Sequence, residues 1–390
     1  MKQFHTHLCL VSAQATPNLL PVLDERWRPK RVVLACTTQM KTATLALKEV
    51  IRTKCQGVQV DELELPSAYD YAALADAFLV FLAENQDEDI AVNVTGGTKL
   101  MAVAAQEVFR ANGKPAFYVN ADSDEVVVIG EKAISQPLSA TLKVNEMLAV
   151  HRYPVAGQQR PQVTREQRDL AARLIDHVDG AGQALGSFNA LAKVAESDLR
   201  VEMNDSQYDS RALSQIIALF EEANYVKQNG HTLKFTNEAA RAFANGGWLE
   251  FHVYEALQAL RAQHQGLADV ALNVKVAYPK AMGGTEMNEI DVAFLHRNTL
   301  HLIECKTANL ALPGSAESDK GTDAIYKVES LLKLGGLRTK AMIVDYRGKL
   351  SSSPANLKRA KDANIVIASG PQLRDLKGFI SRLWLSAPAT

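Results

Sequence analysis

The stretch from Glu289 to Thr307, EIDVAFLHRNTLHLIECKT, predicts a β-hairpin in the last third of the chain. Apolar residues fill both halves of the stretch, and Arg297-Asn298 fits a two-residue turn between them. With that turn, His296 pairs with Thr299 and the rest of the register follows. A one-residue slip would move every side chain to the opposite face of its strand. The hairpin register is therefore the expectation on which the interpretation of this region depends.

In this register Asp291 lies directly opposite Glu304, with both side chains on one face. Lys306 is two residues beyond Glu304 and shares that face. Two adjacent carboxylates repel each other unless a cation neutralises them, and oxygen ligands of this kind suit Mg²⁺ or Mn²⁺. The alternative is a structural ion pair. An unpaired charge within an otherwise apolar hairpin would be costly, which favours a site.

Four residues of this region resemble the PD-(D/E)xK restriction-endonuclease-like superfamily. They are Glu250 in the preceding predicted helix, Asp291, and Glu304-Cys-Lys306; Ile290 stands where the family usually has proline. The resemblance implies divalent-metal-dependent hydrolysis of phosphodiesters. It implies that Asp291 and Glu304 bind metal, that Lys306 is catalytic, and that Glu250 assists. Tyr326 and Lys327, in a later predicted helix, are expected to meet the phosphate backbone.

The composition is that of a globular protein. The chain has 390 residues, of which 47% are hydrophobic and 22% charged, and its formal net charge is −1. This length indicates two or three domains. The near-zero net charge means that nucleic acid must be bound by a local patch. Without a signal peptide or a run of about 20 apolar residues, we expect a cytoplasmic protein with no membrane contact.

The N-terminal part alternates between strand and helix periodicity. Apolar runs at residues 7–12, 31–36, 58–65, 90–95, 116–120 and 125–130 predict strands, with helical spacing between most of them. This alternation is typical of a doubly wound, mostly parallel sheet. We therefore expect a multidomain α/β protein whose first domain, residues 1–151, is Rossmann-like.

Two further domains are expected. Residues 152–163 contain two prolines and a glycine and are interpreted as a linker. Residues 164–245 predict three helices followed by a hairpin at Asn229-Gly230, the pattern of a winged helix. Its candidate DNA-recognition helix, Ser210–Ala223, is not conspicuously basic, so a connecting or dimer-coupling role is favoured. Residues 246–390 predict the α/β nuclease domain.

Two loops of the first domain are candidates for ligand binding, since both follow the carboxyl ends of predicted strands. One is Ser12-Ala-Gln14-Ala-Thr-Pro-Asn18, and the other is Thr95-Gly-Gly-Thr-Lys99. Glycines allow close backbone approach, and free amides at a helix start suit a phosphate. The second loop lacks the spacing of a Walker A motif. Thr37, after the second strand, is a weaker candidate.

Taken as a whole, the chain resembles the CARF-domain nucleases of type III CRISPR systems, in particular the Card/Can group. The resemblance rests on both loops and on the nuclease motif. It implies a homodimer that binds one cyclic oligoadenylate, usually cyclic tetra-adenylate, as an allosteric activator across two CARF domains. On this analogy the ligand-binding residues are Ser12, Gln14, Asn18, Thr37, Thr95, Gly96, Gly97, Thr98 and Lys99.

The function expected from these observations is a ligand-activated, Mn²⁺- or Mg²⁺-dependent endonuclease. It would cut or nick DNA, with single-stranded RNA as a second candidate substrate, and show weak sequence preference because no sequence-reading element is evident. Two alternatives remain. One is a ligand-responsive transcription regulator with a non-catalytic C-terminal domain. The other is a repair or restriction nuclease without allosteric control.

Overall fold

The structure is a computed structural model that describes residues 3–130, 134–279, 285–307 and 318–386. These residues form three β-sheets, of seven, three and six strands. The multidomain α/β class expected from the sequence is confirmed. The domain limits at residues 151, 164 and 246 remain a prediction.

The first sheet is doubly wound, with strand order β3-β2-β1-β4-β5-β6-β7. The first five strands in this order pair in parallel, and β5, β6 and β7 pair antiparallel. Its strands are β1 (Thr6–Leu10), β2 (Arg31–Cys36), β3 (Gln59–Glu64), β4 (Ile90–Asn93), β5 (Ala116–Asn120), β6 (Glu125–Ile129) and β7 (Ile134–Pro137). Its helices are α1 (Thr16–Leu23), α2 (Lys41–Lys54), α3 (Tyr71–Glu84) and α4 (Lys99–Ala111).

The middle of the chain folds as helices around a three-stranded antiparallel sheet, in the order β10-β11-β9. The elements are α5 (Val144–Val150), β8 (Val155–Gln159), α6 (Arg165–Asp176), α7 (Gly182–Val194), β9 (Arg200–Glu202), α8 (Asp205–Tyr208), α9 (Arg211–Glu222), β10 (Val226–Asn229), β11 (Thr232–Phe235) and α10 (Glu238–Ala242). Helices followed by a small sheet are the winged-helix-like pattern that the sequence predicts. The expected hairpin is present, since Asn229 pairs with Thr232 around Gly230.

The third sheet has the order β16-β15-β14-β13-β12-β8. Its remaining elements are α11 (Trp248–Arg261), β12 (Leu267–Pro279), β13 (Thr285–His296), β14 (Thr299–Lys306), α12 (Ser318–Leu331), β15 (Lys340–Asp345), α13 (Pro354–Asp362), β16 (Ile365–Ser369), α14 (Pro371–Arg374) and α15 (Leu376–Ile380).

Two segments differ from the sequence-based expectation. The linker at residues 152–163 contains β8, which pairs along the edge of β12, with Gly157 opposite Lys275. An exposed strand edge offers unpaired backbone groups, and this crossing segment satisfies them. The second helix of the middle segment, which the sequence predicts over Phe188–Val201, is α7 and ends at Val194. Beyond it, Leu199 has φ +62 and its carbonyl accepts from Phe235 N–H at 2.8 Å.

The apolar cores are shared between the sheets. One cluster joins the middle segment to one face of the third sheet and includes Phe188, Phe220, Trp248 and Phe294. A second joins the α1–α2 side of the first sheet to the other face of the third and includes Leu19, Leu34, Ile290 and Ile343. Only the cluster under α3 and α4 belongs to the first sheet alone. Shared cores of this kind fix the relative positions of the sheets.

Asn298, in the β13–β14 turn, connects the first and third sheets by polar contacts. Its Oδ1 accepts from Leu142 N–H at 2.9 Å, and its Nδ2 donates to Ala140 O at 3.0 Å and to Asp124 Oδ2 at 3.2 Å. Burial raises the pKa of Asp124 to about 6. No helix within the described ranges is long and apolar enough to cross a membrane.

Candidate active site and ligand loops

The β13–β14 hairpin has the register that the sequence predicts. The ladder runs from His296–Thr299 to Val292–Ile303, so the next residues outward are Asp291 and Glu304. At that level Asp291 turns its carboxylate onto the neighbouring strand, where Oδ2 accepts from Cys305 N–H at 2.7 Å. The two carboxylates therefore meet at the open end of the hairpin.

Gly246 brings Glu250 to the same place. This glycine has φ +112, and a Cβ there would lie 2.6 Å from Thr307 Oγ1. Only glycine permits such close approach in that conformation. The start of α11 can therefore lie against the end of β14, and Glu250 in its first turn faces the hairpin carboxylates. The Thr307 hydroxyl also lies 2.8 Å from the side-chain amide of Asn189 on α7, which ties the middle segment to the site.

The acidic groups destabilise one another's charged forms. Burial raises the pKa of Glu250 to about 8, and Asp291, Glu289 and Glu304 add to the shift. Burial also raises the pKa of Asp291 to about 7, with Glu304 as the next cause. Buried carboxylates with pKa values near neutrality are typical of functional sites.

Two lysines neutralise Glu304, whose side chain is 2% exposed. Lys306 Nζ lies 2.5 Å from Oε1, and Lys327 Nζ from α12 lies 2.7 Å from Oε1 and 2.9 Å from Oε2. Burial acts to lower the pKa of Lys306, but Glu304 and Asp291 outweigh it and raise the value. Lys306 is therefore a cation at neutral pH. Lys327 was expected to meet a phosphate backbone, and the structure has it on Glu304.

A cavity of about 770 Å³ opens over these residues. Its walls come from the middle segment and from both strands at the open end of the hairpin, and among its lining residues are Tyr225, Thr236, Arg241, Glu250, Asp291, Glu304, Lys306 and Lys327. The residue pattern of the middle segment does not indicate that this segment covers the hairpin, so its place at the site was not predicted.

Asn273 of β12 is a lining residue that the sequence analysis missed. Pairing between β12 and β13 includes Leu272–Val292 and Val274–Ile290 but skips Asn273 and Asp291. Asn273 has φ +50, in the left-handed region. Local irregularity of this kind often re-aims side chains beside functional sites. The one available signal was an asparagine interrupting an apolar strand.

The carboxylates of the cluster have the chemistry of cation ligands, but no three His, Cys, Asp or Glu side chains of the described residues are spaced to hold a metal ion. Asp291 and Glu250 carry raised pKa values because they are buried and lie near other carboxylates, and a cation would relieve that unfavourable charge. Carboxylate oxygens are the ligands that Mg²⁺ and Mn²⁺ prefer. To bind a cation, Glu304 would have to give up at least one of its contacts with Lys306 and Lys327.

The Thr95–Lys99 loop lies close against β1. A Cβ on Gly96 would meet Leu10 O at 2.0 Å, and Gly97 has φ +73. Thr98 caps α4, and its hydroxyl donates to Ala68 O at 2.7 Å. Lys99 is exposed at the first position of α4. The loop thus presents backbone amides and one lysine at a helix start, as phosphate binding requires.

Other predicted ligand residues divide into surface and interior positions. Ser12 accepts from Gln14 N–H at 3.2 Å and is part of the loop surface. Asn18 is 1% exposed; its Nδ2 donates to Leu10 O at 2.8 Å and its Oδ1 accepts from Asn93. The Thr95 hydroxyl donates to Asn93 at 2.6 Å and accepts from Val119 N–H at 2.7 Å. Asn18 and Thr95 therefore hold the two loops in position, and Thr37, after β2, is also buried.

Two family models match the chain. Residues 6–153 match the Card1 CARF domain, and residues 237–386 match the Card1-like endonuclease domain. Residues 154–236, which include the three-stranded sheet, lie between the matched ranges. A search of curated proteins found no match.

Solved structures resemble the chain over nearly its full length. The protein VC1899 from Vibrio cholerae is 26% identical with a TM-score of 0.87, covering 97% of both chains. Can2 from Sulfobacillus thermosulfidooxidans, solved with cyclic tetra-adenylate, is 25% identical with a TM-score of 0.79, covering 98% of this chain and 99% of its own. A type III CRISPR defence DNA nuclease activated by cyclic oligoadenylate shares the fold at 19% identity and a TM-score of 0.52; the match covers 88% of this chain and 46% of that one.

The two matched domains define the protein as a nuclease with an N-terminal CARF domain. The chain belongs to the CARF-domain nucleases of type III CRISPR systems, and its domain pair is the Card1-like one. The family resemblance drawn from the sequence is therefore confirmed.

Replacing Glu250 by glutamine is expected to stabilise the protein when no divalent cation is present. Between the usual pKa of 4.5 and about 8, the unfolded chain releases this proton while the folded chain keeps it, so stability falls as pH rises. Glu250→Gln removes that loss and should gain at least about 1 kcal/mol near pH 8, with a smaller gain near pH 5. Urea unfolding with a chelator measures both values.

Glu255→Gln, on the same helix but paired with Arg168, is the matched control. It should show no gain that grows with pH. A Glu250→Gln protein that is less stable than wild type near pH 8 would contradict the repulsion argument.

Proposed function

We propose that the protein is a divalent-metal-dependent endonuclease that cyclic tetra-adenylate activates. Its substrate is DNA, cut or nicked with weak sequence preference, and single-stranded RNA is a second substrate of the same site. Its role is type III CRISPR antiviral defence. The observation that carries this proposal is the convergence of Glu250, Asp291, Glu304 and Lys306 in one cavity. A transcription regulator with a non-catalytic C-terminal domain would not require buried carboxylates that repel one another.

Each residue of the cluster has a chemical role in this proposal. Asp291 and Glu304 would hold Mn²⁺ or Mg²⁺, which supplies a more acidic bound water and stabilises negative charge on the phosphate. Lys306 stays protonated and stabilises the same charge by donating hydrogen bonds. The raised pKa of Glu250 suits it to exchange a proton with a water molecule near neutral pH.

The active site is testable with the full-length protein. Supercoiled plasmid and single-stranded RNA are incubated with Mn²⁺ or Mg²⁺, with and without cyclic tetra-adenylate. We expect cleavage that depends on both the metal and the ligand. Lys306→Met and Glu304→Gln should lower the rate at least about 100-fold, since one lost charge-stabilising group costs this much in comparable sites. Lys193→Met, an exposed lysine on α7, should leave the rate unchanged.

Metal binding has a readout independent of turnover. Mn²⁺ should raise the melting temperature of the wild type and have less effect on Asp291→Asn. An equal shift in both proteins would exclude Asp291 as a ligand, and an unchanged cleavage rate in Lys306→Met would exclude the assigned site. Ligand-independent cleavage would exclude allosteric activation.

The coupling of ligand loop to nuclease site is proposed to run through Gln14. Its Oε1 accepts from Leu337 N–H at 3.4 Å, across the boundary between the first and third sheets. Leu337 follows α12 by a single turn, and α12 carries Lys327 to Glu304. One short segment therefore contacts the ligand loop at one end and the catalytic carboxylate at the other. A ligand that draws Gln14 away would alter how α12 holds Lys327.

Gly336→Ala tests this route without substituting a residue of the ligand loop. The glycine has φ +82, and a Cβ there would lie 2.7 Å from Gln14 Oε1 and 2.9 Å from His151 Nε2. The stimulation of cleavage by cyclic tetra-adenylate should change at least about fivefold. Gly348→Ala is the matched control, because it has φ +63 but meets nothing closer than 3.7 Å. Equal stimulation in the two variants would contradict the route.

A homodimer is proposed from an exposed apolar face on α3 and α4. The face is formed by Tyr71, Leu100 and Val103, which are 39%, 40% and 52% exposed, and by Tyr69, which precedes α3. It adjoins the ligand loop, since Ala68 O accepts from Thr98. Contiguous apolar surface of this kind marks interaction sites. A two-fold interface here would let one symmetric ligand contact both copies.

Val103→Glu should therefore yield a monomer in light scattering and weaken binding of cyclic tetra-adenylate. The physical reason is that a carboxylate at the centre of a two-fold apolar interface faces its own copy. Val194→Glu, at a valine on α7 that is 69% exposed, should remain dimeric. A dimeric Val103→Glu protein would contradict this interface.

A further inference from the structure

The exposed face of the three-stranded sheet carries three basic side chains in one row. Lys227 of β10 is directly opposite Lys234 of β11, and Lys234 is directly opposite Arg200 of β9. All three are exposed, while Val226, Leu233 and Val201 of the neighbouring rows are buried beneath them. Like charges directly opposite destabilise a sheet. Such a row is costly unless an anion lies against it.

Within the described part of the chain, no carboxylate neutralises this row by an ion pair. Among the described residues of the middle segment, the basic side chains that do form salt bridges are those of Arg160, Arg165, Arg168, Arg173, Arg241 and His231. Glu202 lies on the same face but one row further out, where it accepts from the Thr232 hydroxyl at 2.6 Å. Among the strand residues that share this face, the three cations therefore outnumber the one acid, Glu202.

The basic row is continuous with the wall of the active-site cavity. Thr236 N–H donates to Tyr225 O at 3.0 Å, which extends the β10–β11 pairing by one step. Tyr225 and Thr236 both line the cavity that holds Glu304. Side chains two residues apart on a strand share a face and lie about 7 Å apart. Lys227 and Lys234 are therefore the next row outward from the cavity wall.

We propose that Lys227, Lys234 and Arg200 bind the phosphodiester backbone of a polynucleotide where it leaves the active-site cavity. The inference rests on the proposed nuclease function and adds a substrate-binding surface to it. Lysines and arginines on a flat sheet attract phosphates of any sequence, and counterion release strengthens that attraction. This surface supplies affinity without base reading, which accounts for weak sequence preference.

The neighbouring helix does not compete for this role. α9 carries Arg211 at its start but Glu221 and Glu222 at its end, and Glu222 pairs with Arg173. The sequence-based view that α9 is not a basic reading helix is therefore compatible with nucleic-acid binding by the sheet beside it. The middle segment is a connector that also extends the substrate surface.

The test measures binding separately from cleavage. Fluorescence anisotropy with labelled single-stranded DNA, duplex DNA and single-stranded RNA is recorded on the full-length protein with cyclic tetra-adenylate and a chelator. Lys227→Ala with Lys234→Ala should weaken binding at least about tenfold at low salt, similarly for unrelated sequences. It should also reduce the slope of log affinity against log salt by about one unit per lysine. The three probes distinguish which polynucleotide the surface favours.

Lys358→Ala with Lys361→Ala, two exposed lysines of α13 that do not line the cavity, is the matched control and should bind as the wild type does. The proposal is overturned if the sheet variant keeps its affinity and salt slope for all three probes, or if the control pair loses as much. Because no cleavage is needed, wild-type protein that binds but never cuts would refute the nuclease and leave this surface standing. Wild-type protein that cuts normally, together with a sheet variant whose binding is unchanged, would refute this surface and leave the nuclease standing.

Discussion

The two-residue turn at Arg297-Asn298 holds both residues in the left-handed region, at φ +46 and +50, and thereby fixes the pairing of β13 with β14. Such a turn matches the natural twist of the strands it joins. The register it sets brings Asp291 and Glu304 to the same end of the hairpin. Asn298 also bonds to Leu142, Ala140 and Asp124, so the turn that determines the active site is the same turn that fixes the nuclease sheet to the CARF domain.

The charge arrangement at this end of the hairpin is unfavourable without a cation. Glu250 and Asp291 have raised pKa values because they are buried near other carboxylates, and Glu304 is held by Lys306 and Lys327. The stability lost here is offset by the apolar cores on both faces of the sheet. In the proposed nuclease, a divalent ion and a phosphate would each replace an internal repulsion or contact with an attraction.

The same shared cores explain how distant parts can affect one another. The segment from Lys327 to Leu337 spans the distance between Glu304 and Gln14, and its residues Val328, Leu331 and Leu334 pack into the core that joins the first and third sheets. Closely packed interiors move between discrete arrangements and do not deform continuously. A small change at the Gln14 loop is therefore expected to reach Glu304 as a shift of α12 and not to dissipate in the loop.

The sequence by itself determined the doubly wound first sheet and the hairpin register. These depend on local periodicity, on a short turn and on residues close together in the chain. Ser353-Pro354 is a further local signal for the start of a helix, since the serine caps α13. It did not determine that residues 155–159 would complete the third sheet, because a strand edge can be paired by any segment that reaches it.

Only the tertiary structure decided which surfaces meet. It brought Lys327 onto Glu304, used Asn18 and Thr95 to hold the two candidate ligand loops in position, and joined the basic row of Lys227 and Lys234 to the cavity. Each of these contacts joins residues from different elements, some of them far apart in the chain. Periodicity and spacing report on neighbours within one element, whereas packing between elements depends on shape and burial across the whole chain.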